Sequence, residues 1–309
     1  MIRVAVVGAG DFGREHARVY SEVEGAHLVA VCDVDESRGR PVAERYKAEF
    51  VSDYRDLAGK ADAVSVATPT ASHQEICCEL LSSGIATLVE KPLARTLDEA
   101  DQLILAARSS GAPLQVGHLE RFNPAVRAAG QILTQPRFFE AHRLSVFTPR
   151  SLDIDVVMDL MIHDIDVVLS FVNSEVAEVR AAGVPILTSR IDIANARIEF
   201  VNGCVANLTA SRVSSERVRK LRFFQPGQYI SIDYAAQEVE GWRLVRRDGQ
   251  RPAIEGGALP VKKEEPLHRE LADFIRASKE KSKPLVDGEA GRAALELATR
   301  IAEKMESIG

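Results

Sequence analysis

Short apolar runs alternate with helical patterns along the first 117 residues of this 309-residue chain. The runs are rich in valine, isoleucine and alanine, which is typical of strands that are buried on both faces of a parallel sheet. The alternation predicts a doubly wound α/β fold with right-handed crossovers. The predicted strands are 2–7, 27–33, 63–67, 85–89 and 113–117, and the predicted helices are 11–21, 36–47, 72–83 and 96–110.

The pattern changes after about residue 118. One helical stretch covers about 156–171, and the turns Asn202-Gly203 and Pro226-Gly227 join closely spaced strand-like runs, which predicts a mostly antiparallel open sheet. We therefore expect two domains, 1–118 with the parallel sheet and 119–309 with an α+β fold. The predicted strands of the second half are 137–147, 176–185, 191–200, 204–212, 219–224 and 228–234, and helices 265–278 and 288–307 close the chain.

Composition narrows the classes of protein. The net charge is −6, from 39 basic and 45 acidic side chains, so the chain lacks the basic excess of a nucleic-acid or membrane-surface protein. Its four cysteines form no disulfide framework, and no apolar stretch approaches the roughly 18 residues of a membrane span. Met1 comes one residue before the first strand, which leaves no room for a signal peptide. We expect a soluble cytoplasmic protein without a metal site.

A glycine-rich turn follows the first strand. Gly8, Gly10 and Gly13 have the GxGxxG spacing, in which the glycines permit a tight turn, close approach of the phosphates and close helix–strand packing. Asp11 and Phe12 begin the next helix, whose N-terminal N–H groups can bind a pyrophosphate. The sequence predicts that these five residues bind a dinucleotide.

Asp33 strengthens this prediction because it ends the second strand about 20 residues after Gly13, the usual spacing for the acid that binds the adenosine ribose. A carboxylate at this point repels a 2′-phosphate, which favours NAD over NADP. The nearby Arg38 and Arg40 weaken that preference.

A third candidate region follows the strand at 63–67, at the sheet edge where α/β proteins bind ligands. Thr68 and Thr70 lie in this loop, and His73 begins the next helix. We include all three among the cofactor-binding candidates. For His73 the alternative is a purely structural role at the start of the helix.

The run 85–89 ends in Glu90-Lys91-Pro92. A lysine at the rim of a buried strand is desolvated, which can lower its pKa and suit it to catalysis. Glu90 can orient it, and both Glu90 and Lys91 are candidates for contact with the cofactor. The alternative is a solvated surface lysine, but the position at a strand end favours a catalytic Lys91.

Asp159, His163 and Asp166 follow a spacing of four and three residues within an otherwise apolar helix, and Ser170 extends the stripe. Such a stripe faces a cavity or specific partners. A carboxylate one turn from an imidazole fixes its tautomer and raises its basicity. The alternatives are a solvated face or a buried structural histidine, and the apolar surroundings favour an active site.

Together these motifs resemble the glucose-fructose oxidoreductase, inositol dehydrogenase and rhizopine-catabolism (Gfo/Idh/MocA) family of NAD(P)-dependent enzymes. The resemblance covers the opening GAGDFG, the EKPL at 90–93, the DxxxH of Asp159 and His163, and the segment 284–290. It implies that Lys91, Asp159 and His163 line the substrate and that the antiparallel sheet pairs subunits into dimers or tetramers. Thr70 departs from the pattern, because an asparagine is common there.

The segment 117–124, Gly-His-Leu-Glu-Arg-Phe-Asn-Pro, is similar to the branch of this family that oxidises UDP-N-acetylglucosamine at carbon 3 of the sugar. The resemblance implies that Arg121 and Asn123 contact the substrate near the cofactor. The basic segment 211–220 either contacts a substrate diphosphate or forms a solvated strand face.

We therefore expect an NAD-dependent sugar dehydrogenase in which His163 or Lys91 accepts the hydroxyl proton. One alternative is a dehydrogenase of free polyols or inositol. The other is an NAD(H)-sensing protein without turnover, which would need none of Lys91, Asp159 and His163.

Overall fold

The computed structural model describes residues 1–148, 154–247 and 251–306, and these form two sheets. The first sheet contains β1 (Ile2–Val7), β2 (Ala26–Cys32), β3 (Glu49–Val51), β4 (Ala63–Val66), β5 (Ala86–Glu90) and β6 (Leu114–Gly117). The second contains β7 (Phe138–Leu144), β8 (Val176–Val184), β9 (Ile193–Phe200), β10 (Val205–Ser211), β11 (Val218–Gln225), β12 (Gln228–Asp233), β13 (Glu238–Val245) and β14 (Ala253–Ala258).

The α-helices of the described residues lie between and after these strands. They are α1 (Asp11–Tyr20), α2 (Glu36–Arg45), α3 (His73–Ser82), α4 (Leu97–Ser110), α5 (Pro124–Gln131), α6 (Ile162–Val172), α7 (Pro266–Glu280) and α8 (Gly288–Glu306). Residue 307, the predicted end of the last helix, lies outside the described residues. None of these helices is both long enough and apolar enough to cross a membrane.

The first sheet is parallel throughout, with strand order β3-β2-β1-β4-β5-β6. This is the doubly wound order of dinucleotide-binding folds, and it places the ends of β1 and β4 at the point where the strand order reverses. The second sheet is antiparallel except that β7 pairs with β10 in parallel. The predicted fold class is therefore confirmed.

The chain divides into two compact units, and the division is not a single cut along the sequence. The first unit comprises residues 1–119 and 265–295, and the second begins at 120, ends at 264 and resumes at 296. The sequence pattern predicts two consecutive domains, 1–118 and 119–309. The difference arises because α7 inserts Leu271, Phe274 and Ile275 into the same apolar core as Val4 and Leu28 of the first sheet.

Several elements were not predicted. β3 has only three residues, and α5 begins at Pro124 directly after a turn. β13 and β14 mix polar and exposed side chains on both faces and carry glycines. The helix predicted at 156–171 is a π-helical turn, Val157–Met161, followed by α6. β3, α5, β13 and β14 lack the apolar periodicity from which elements are predicted, whereas the π-helical turn has the pattern of an α-helix.

A buried carboxylate anchors the segment before the π-helical turn. Asp192 accepts hydrogen bonds from the backbone N–H groups of Ile186, Leu187 and Thr188 at 2.7–2.9 Å. Its Oδ1 lies 3.4 Å from Nε of Arg212, whose Nη2 donates to the carbonyl oxygens of Ile154 and Ile191. Burial raises the pKa of Asp192, but the N–H donors of the loop more than offset this, so the pKa is lowered to about 2.

We expect Asp192→Asn to lower the free energy of unfolding by about 3 kcal/mol, because it leaves Arg212 buried without its anionic partner. A folded-state pKa below the unfolded value of about 3.9 makes the stabilisation fully present above about pH 5 and progressively lost as the pH falls toward 2. Urea unfolding between pH 3 and pH 7, on the order of five pH values, measures both effects.

The control is Asp101→Asn, which removes an exposed ion pair with Arg292 and should cost less than about 1 kcal/mol. Equal losses in the two variants at neutral pH would contradict the role assigned to Asp192.

Candidate functional site

The glycine-rich turn is shaped by contacts that exclude side chains at two of its three glycines. A Cβ atom at Gly13 would lie 1.7 Å from the carbonyl oxygen of Gly8, and one at Gly8 would lie 2.6 Å from that of Ala67. Gly8 also has a φ of +94°, which favours glycine. By contrast, no atom lies within 4 Å of the Cβ position at Gly10. Protein atoms therefore occupy the space beside Gly8 and Gly13, whereas the space beside Gly10 is open to a ligand.

The N-terminus of α1 is open to an anion. Gly10 is the N-cap residue, and no side chain caps the helix there. Asp11 and Phe12 form its first turn, and the Phe12 side chain is 60% exposed. Backbone N–H groups at a helix N-terminus bind phosphate. These features fit the pyrophosphate of a dinucleotide.

Asp33 lies one residue beyond β2 and is 7% exposed. Its Oδ2 accepts a 2.7 Å hydrogen bond from N–H of Ala9, and its Oδ1 accepts one from N–H of Asp35 at 2.9 Å. The carboxylate thus ties the end of β2 to the glycine turn. The neighbouring cations are engaged elsewhere, Arg38 with Asp35 and Arg40 with Glu36. A ribose with two free hydroxyls suits this position better than a 2′-phosphate, in agreement with NAD.

A cleft of about 670 Å³ runs along the carboxyl ends of β1, β2 and β4. Gly8, Gly10, Asp33 and Thr68 are among the residues that line it. Thr70 lies in the following turn, is half-buried and is not among the lining residues. The cleft therefore brings together four of the eleven predicted cofactor contacts, and Thr70 is among those outside it.

His73 is buried, and both of its ring nitrogens are engaged. Nε2 lies 3.0 Å from the carbonyl oxygen of Thr68, and Nδ1 lies 3.1 Å from that of Pro92. Burial lowers the pKa of His73. His73 therefore links the loops after β4 and β5, and this geometry argues against the predicted direct contact with the cofactor.

Glu90 and Lys91 stand at the end of β5, and Lys91 is half-buried. Oε1 of Glu90 lies 3.0 Å from Nε2 of His16, a fully buried residue of α1. Glu90 therefore faces a buried imidazole, which argues against the predicted contact with the cofactor. His16 was not predicted as a site residue, although a histidine on the apolar face of α1, among the buried Gly13, Ala17 and Tyr20, is visible in the sequence pattern.

Asp159 and His163 lie in the second unit and are half-buried. Asp159 belongs to the π-helical turn, which Asp155 caps by accepting hydrogen bonds from N–H of Val157 at 2.8 Å and of Met158 at 3.0 Å. His163 follows in the first turn of α6. Single π-helical turns within helices are frequent at functional sites.

The rest of the predicted polar stripe serves the structure. Asp166 is 2% exposed and pairs with Arg121, whose Nη1 lies 3.3 Å from its Oδ1. Ser170 donates to the carbonyl oxygen of Val167 at 2.6 Å. Arg121 therefore lies beside α6, paired with the carboxylate three positions after His163, and contributes a cation there.

Asn123 does not fit the predicted substrate contact. Its Oδ1 caps α5 by accepting from N–H of Ala125 at 3.0 Å, and its Nδ2 donates to Oε2 of Glu120 and to the carbonyl oxygen of Tyr234. The residue is 2% exposed. An amide with all of these partners is committed to holding the turn before α5.

A buried charge cluster fixes α6 against the second sheet. Arg143 donates to Asp164 through Nε at 2.7 Å and Nη2 at 3.1 Å, and its Nη1 donates to Glu120 at 3.0 Å. Although burial lowers the pKa of Arg143, the two carboxylates raise it further, so the guanidinium stays charged. Asp164 adjoins His163 in sequence, so this cluster fixes the backbone that carries the histidine.

The predicted basic segment 211–220 is divided in the structure. Arg212 is buried beside Asp192, so it is not available to a diphosphate. Arg217 and Arg219 are exposed.

The geometry defines a class of protein: an α/β protein whose first unit is built to bind NAD. Residues 2–118 match the model described as the oxidoreductase family with an NAD-binding Rossmann fold, and residues 132–225 match the Gfo/Idh/MocA C-terminal domain.

Two relatives illustrate the range of similarity. UDP-N-acetylglucosamine 3-dehydrogenase of Acidithiobacillus ferrooxidans is 36% identical over 311 residues, which is 99% of this chain and 98% of that protein. A solved structure of that enzyme has a TM-score of 0.94, with 99% of this chain and 98% of the other covered. Inositol 2-dehydrogenase of Rubrobacter xylanophilus is 37% identical over 192 residues, 59% of this chain and 55% of that protein. This chain belongs to the Gfo/Idh/MocA oxidoreductase family.

Gly10, where a side chain has space, and Gly13, where it does not, give a matched pair of variants. We expect Gly13→Ala to destabilise the protein by about 2 kcal/mol, because the methyl group meets the Gly8 carbonyl. Gly10→Ala should leave stability unchanged within about 0.5 kcal/mol but weaken NAD binding about tenfold or more, because its methyl group occupies ligand space. Thermal unfolding and NADH fluorescence titration separate the two effects. Unweakened binding by Gly10→Ala would contradict the assigned cofactor path.

Proposed function

We propose that this protein oxidises the carbon-3 hydroxyl group of the sugar in UDP-N-acetylglucosamine and passes the hydride to NAD. The observation that carries the proposal is the 36% identity to the Acidithiobacillus enzyme, which extends over 99% of this chain and so includes both units. The inositol dehydrogenase similarity covers only 59% of the chain. The segment 117–124 supports the same branch of the family.

Oxidation of a secondary alcohol requires a hydride acceptor and a proton acceptor. NAD supplies the first when it is bound. Lys91 and His163 are the two candidates for the proton acceptor. The polar groups around each of them determine how readily it accepts the proton. In the proposal the Lys91 ammonium stabilises the developing alkoxide, and the Asp159 carboxylate holds the His163 ring in one tautomer.

Recognition of a substrate diphosphate requires cations. Arg121 is held by Asp166 through one nitrogen, and its side chain remains 17% exposed. Arg217 and Arg219 are exposed at the start of β11. We propose that these three residues supply the positive charge for a nucleotide sugar, with a solvated strand face as the alternative for the last two.

The direct test is formation of NADH, followed by its absorbance, from NAD and UDP-N-acetylglucosamine with an aminotransferase present to trap the 3-keto product. We expect NADH to form, and we expect UDP to inhibit its formation. NADH formed from inositol or another free sugar alone, without inhibition by UDP, would favour a polyol dehydrogenase. No NADH from any sugar, even in a single turnover, would favour an NAD(H)-sensing protein.

Lys91→Ala should lower kcat by about 100-fold or more, because it removes a charge that acts on the reacting oxygen. NADH affinity should change little, which fluorescence titration measures. The control is Lys60→Ala, which removes an exposed lysine paired with Glu49 and should leave kcat unchanged. Normal turnover by Lys91→Ala would refute the assigned role.

We also propose that the open face of the second sheet pairs two copies of this chain. Aromatic side chains occupy opposite positions on adjacent strands there, Phe138 with Phe224, Phe224 with Tyr229, and Tyr229 with Trp242. Phe224 and Trp242 are 37% and 39% exposed. Exposed apolar patches of this kind and aromatic enrichment are typical of protein interfaces. A two-fold axis lets the same patch serve both subunits.

Trp242→Glu should shift the protein from dimer or tetramer toward monomer, because it places a charge within the aromatic patch. Light scattering after size-exclusion chromatography measures the mass. Leu105→Glu is the control, because Leu105 is a 64% exposed apolar side chain on α4 of the other unit. A monomeric parent protein, or an unchanged mass in Trp242→Glu, would contradict the proposal.

The cysteines bear on location. Cys32, Cys77, Cys78 and Cys204 are all free thiols. Free thiols are the rule in reducing compartments, which supports our proposal that the enzyme works in the cytoplasm.

A further inference from the structure

The first unit contains a buried polar pair that the proposed reaction does not use. His16 is 0% exposed, and its Nε2 lies 3.0 Å from Oε1 of Glu90. Its other nitrogen, Nδ1, has no hydrogen-bond partner among the described residues. A buried histidine that leaves one nitrogen unsatisfied costs stability, so such a residue calls for an explanation beyond packing.

Glu90, the other member of the pair, is also in contact with the neighbouring strand β6. Glu90 is the last residue of β5 and pairs in register with Gly117 of β6. A Cβ atom at Gly117 would lie 3.0 Å from the carboxyl carbon and from both oxygens of Glu90. The carboxylate therefore lies against the bare backbone of Gly117 while His16 approaches it from α1. These contacts fix the Glu90 side chain, and with it the strand end from which Lys91 follows.

We propose that His16 is a positioning residue that acts through Glu90 to set the direction of Lys91. The proposal rests on the catalytic role proposed for Lys91. It gives a function to the close packing of α1 on β1, because the same helix that presents its N-terminus to the dinucleotide also presents His16 to the strand end beside the lysine. His16 touches neither substrate nor cofactor in this proposal.

The first test uses three variants and the Michaelis parameters. His16→Leu keeps the bulk but removes the nitrogen that faces Glu90, and we expect kcat to fall about 10-fold to 100-fold with little change in the KM for NAD. His16→Gln can place an amide N–H near the position of Nε2 and should restore most of kcat. Tyr20→Phe is the matched control, because Tyr20 is also buried on α1 and its hydroxyl pairs with Ser65, at 2.6 Å, and not with Glu90.

A merely structural role would make His16→Leu and Tyr20→Phe behave alike, with similar losses of thermal stability and similar kcat. It would also give no recovery in His16→Gln. Either result would overturn the proposal. In the Glu90→Gln background, His16→Leu should cause little further loss of kcat, because the carboxylate through which it acts is already gone. A full additional loss there would also overturn it.

A second readout does not depend on the substrate. The rate at which acetic anhydride acetylates Lys91, measured by peptide mass spectrometry, should change at least about threefold in His16→Leu and return in His16→Gln, because the position and surroundings of the amine set its reactivity. The exposed Lys60 in the same sample should react at one rate throughout.

An unchanged Lys91 rate in His16→Leu would contradict the positioning role even if the dehydrogenase activity is as proposed. Altered labelling in a protein that does not turn over UDP-N-acetylglucosamine would retain the positioning role and reject the proposed substrate. If His16→Leu does not fold, the comparison of His16→Gln and Glu90→Gln with the parent protein gives the same decision, with changed Lys91 reactivity expected only in Glu90→Gln.

Discussion

The close packing of α1 against the end of β1, at Gly13 and Gly8, is the constraint on which the first unit depends. A single added carbon at Gly13 would lie 1.7 Å from the Gly8 carbonyl oxygen, so only this pairing lets the helix lie so near the strand. The approach leaves Gly10 open to a pyrophosphate and lets Asp33 reach the N–H group of Ala9. It also brings His16 to Glu90. In our proposal, cofactor binding and the placement of Lys91 therefore depend on the same helix–strand contact.

In the second unit, half-buried polar groups lie on an otherwise apolar helix. Buried ion pairs hold this helix and the segment before it in place: Arg143 with Asp164 and Glu120, Arg121 with Asp166, and Arg212 with Asp192. Buried pairs of this kind contribute little net stability but penalise any arrangement that separates them. They fix the segment that carries Asp159 and His163, and they leave those two residues half-buried.

The fold could be predicted because its strands are buried. Each predicted strand of the parallel sheet lies within about one residue of the observed one, since a continuous apolar run reports burial on both faces. The position of Asp33 at the end of β2 could be predicted from its fixed spacing after Gly13. β13 and β14 escaped prediction because their side chains are largely exposed, and the π-helical turn did because its pattern matches that of an α-helix.

The sequence indicates which residues have side chains suited to a ligand site, but not which groups these side chains contact in the folded protein. Asn123 is the kind of residue that binds sugars, yet the same amide caps α5. His73 and Arg212 likewise have chemistry suited to ligands, and tertiary contacts commit both to the structure. His16 was missed for the opposite reason, because its partner Glu90 lies 74 positions away in the sequence. The spacing along a helix shows which residues lie on the same face, but not which part of the protein that face packs against.

Hydride transfer can be followed with UDP-N-acetylglucosamine that is deuterated at carbon 3 of its N-acetylglucosamine unit. The protein is incubated with NAD and this UDP-N-acetylglucosamine, and the NADH is analysed by mass spectrometry. We expect NADH that carries the deuterium from carbon 3. Unlabelled NADH would show that the hydride leaves from another position, and no NADH in the presence of the trapping aminotransferase would contradict the proposed reaction itself.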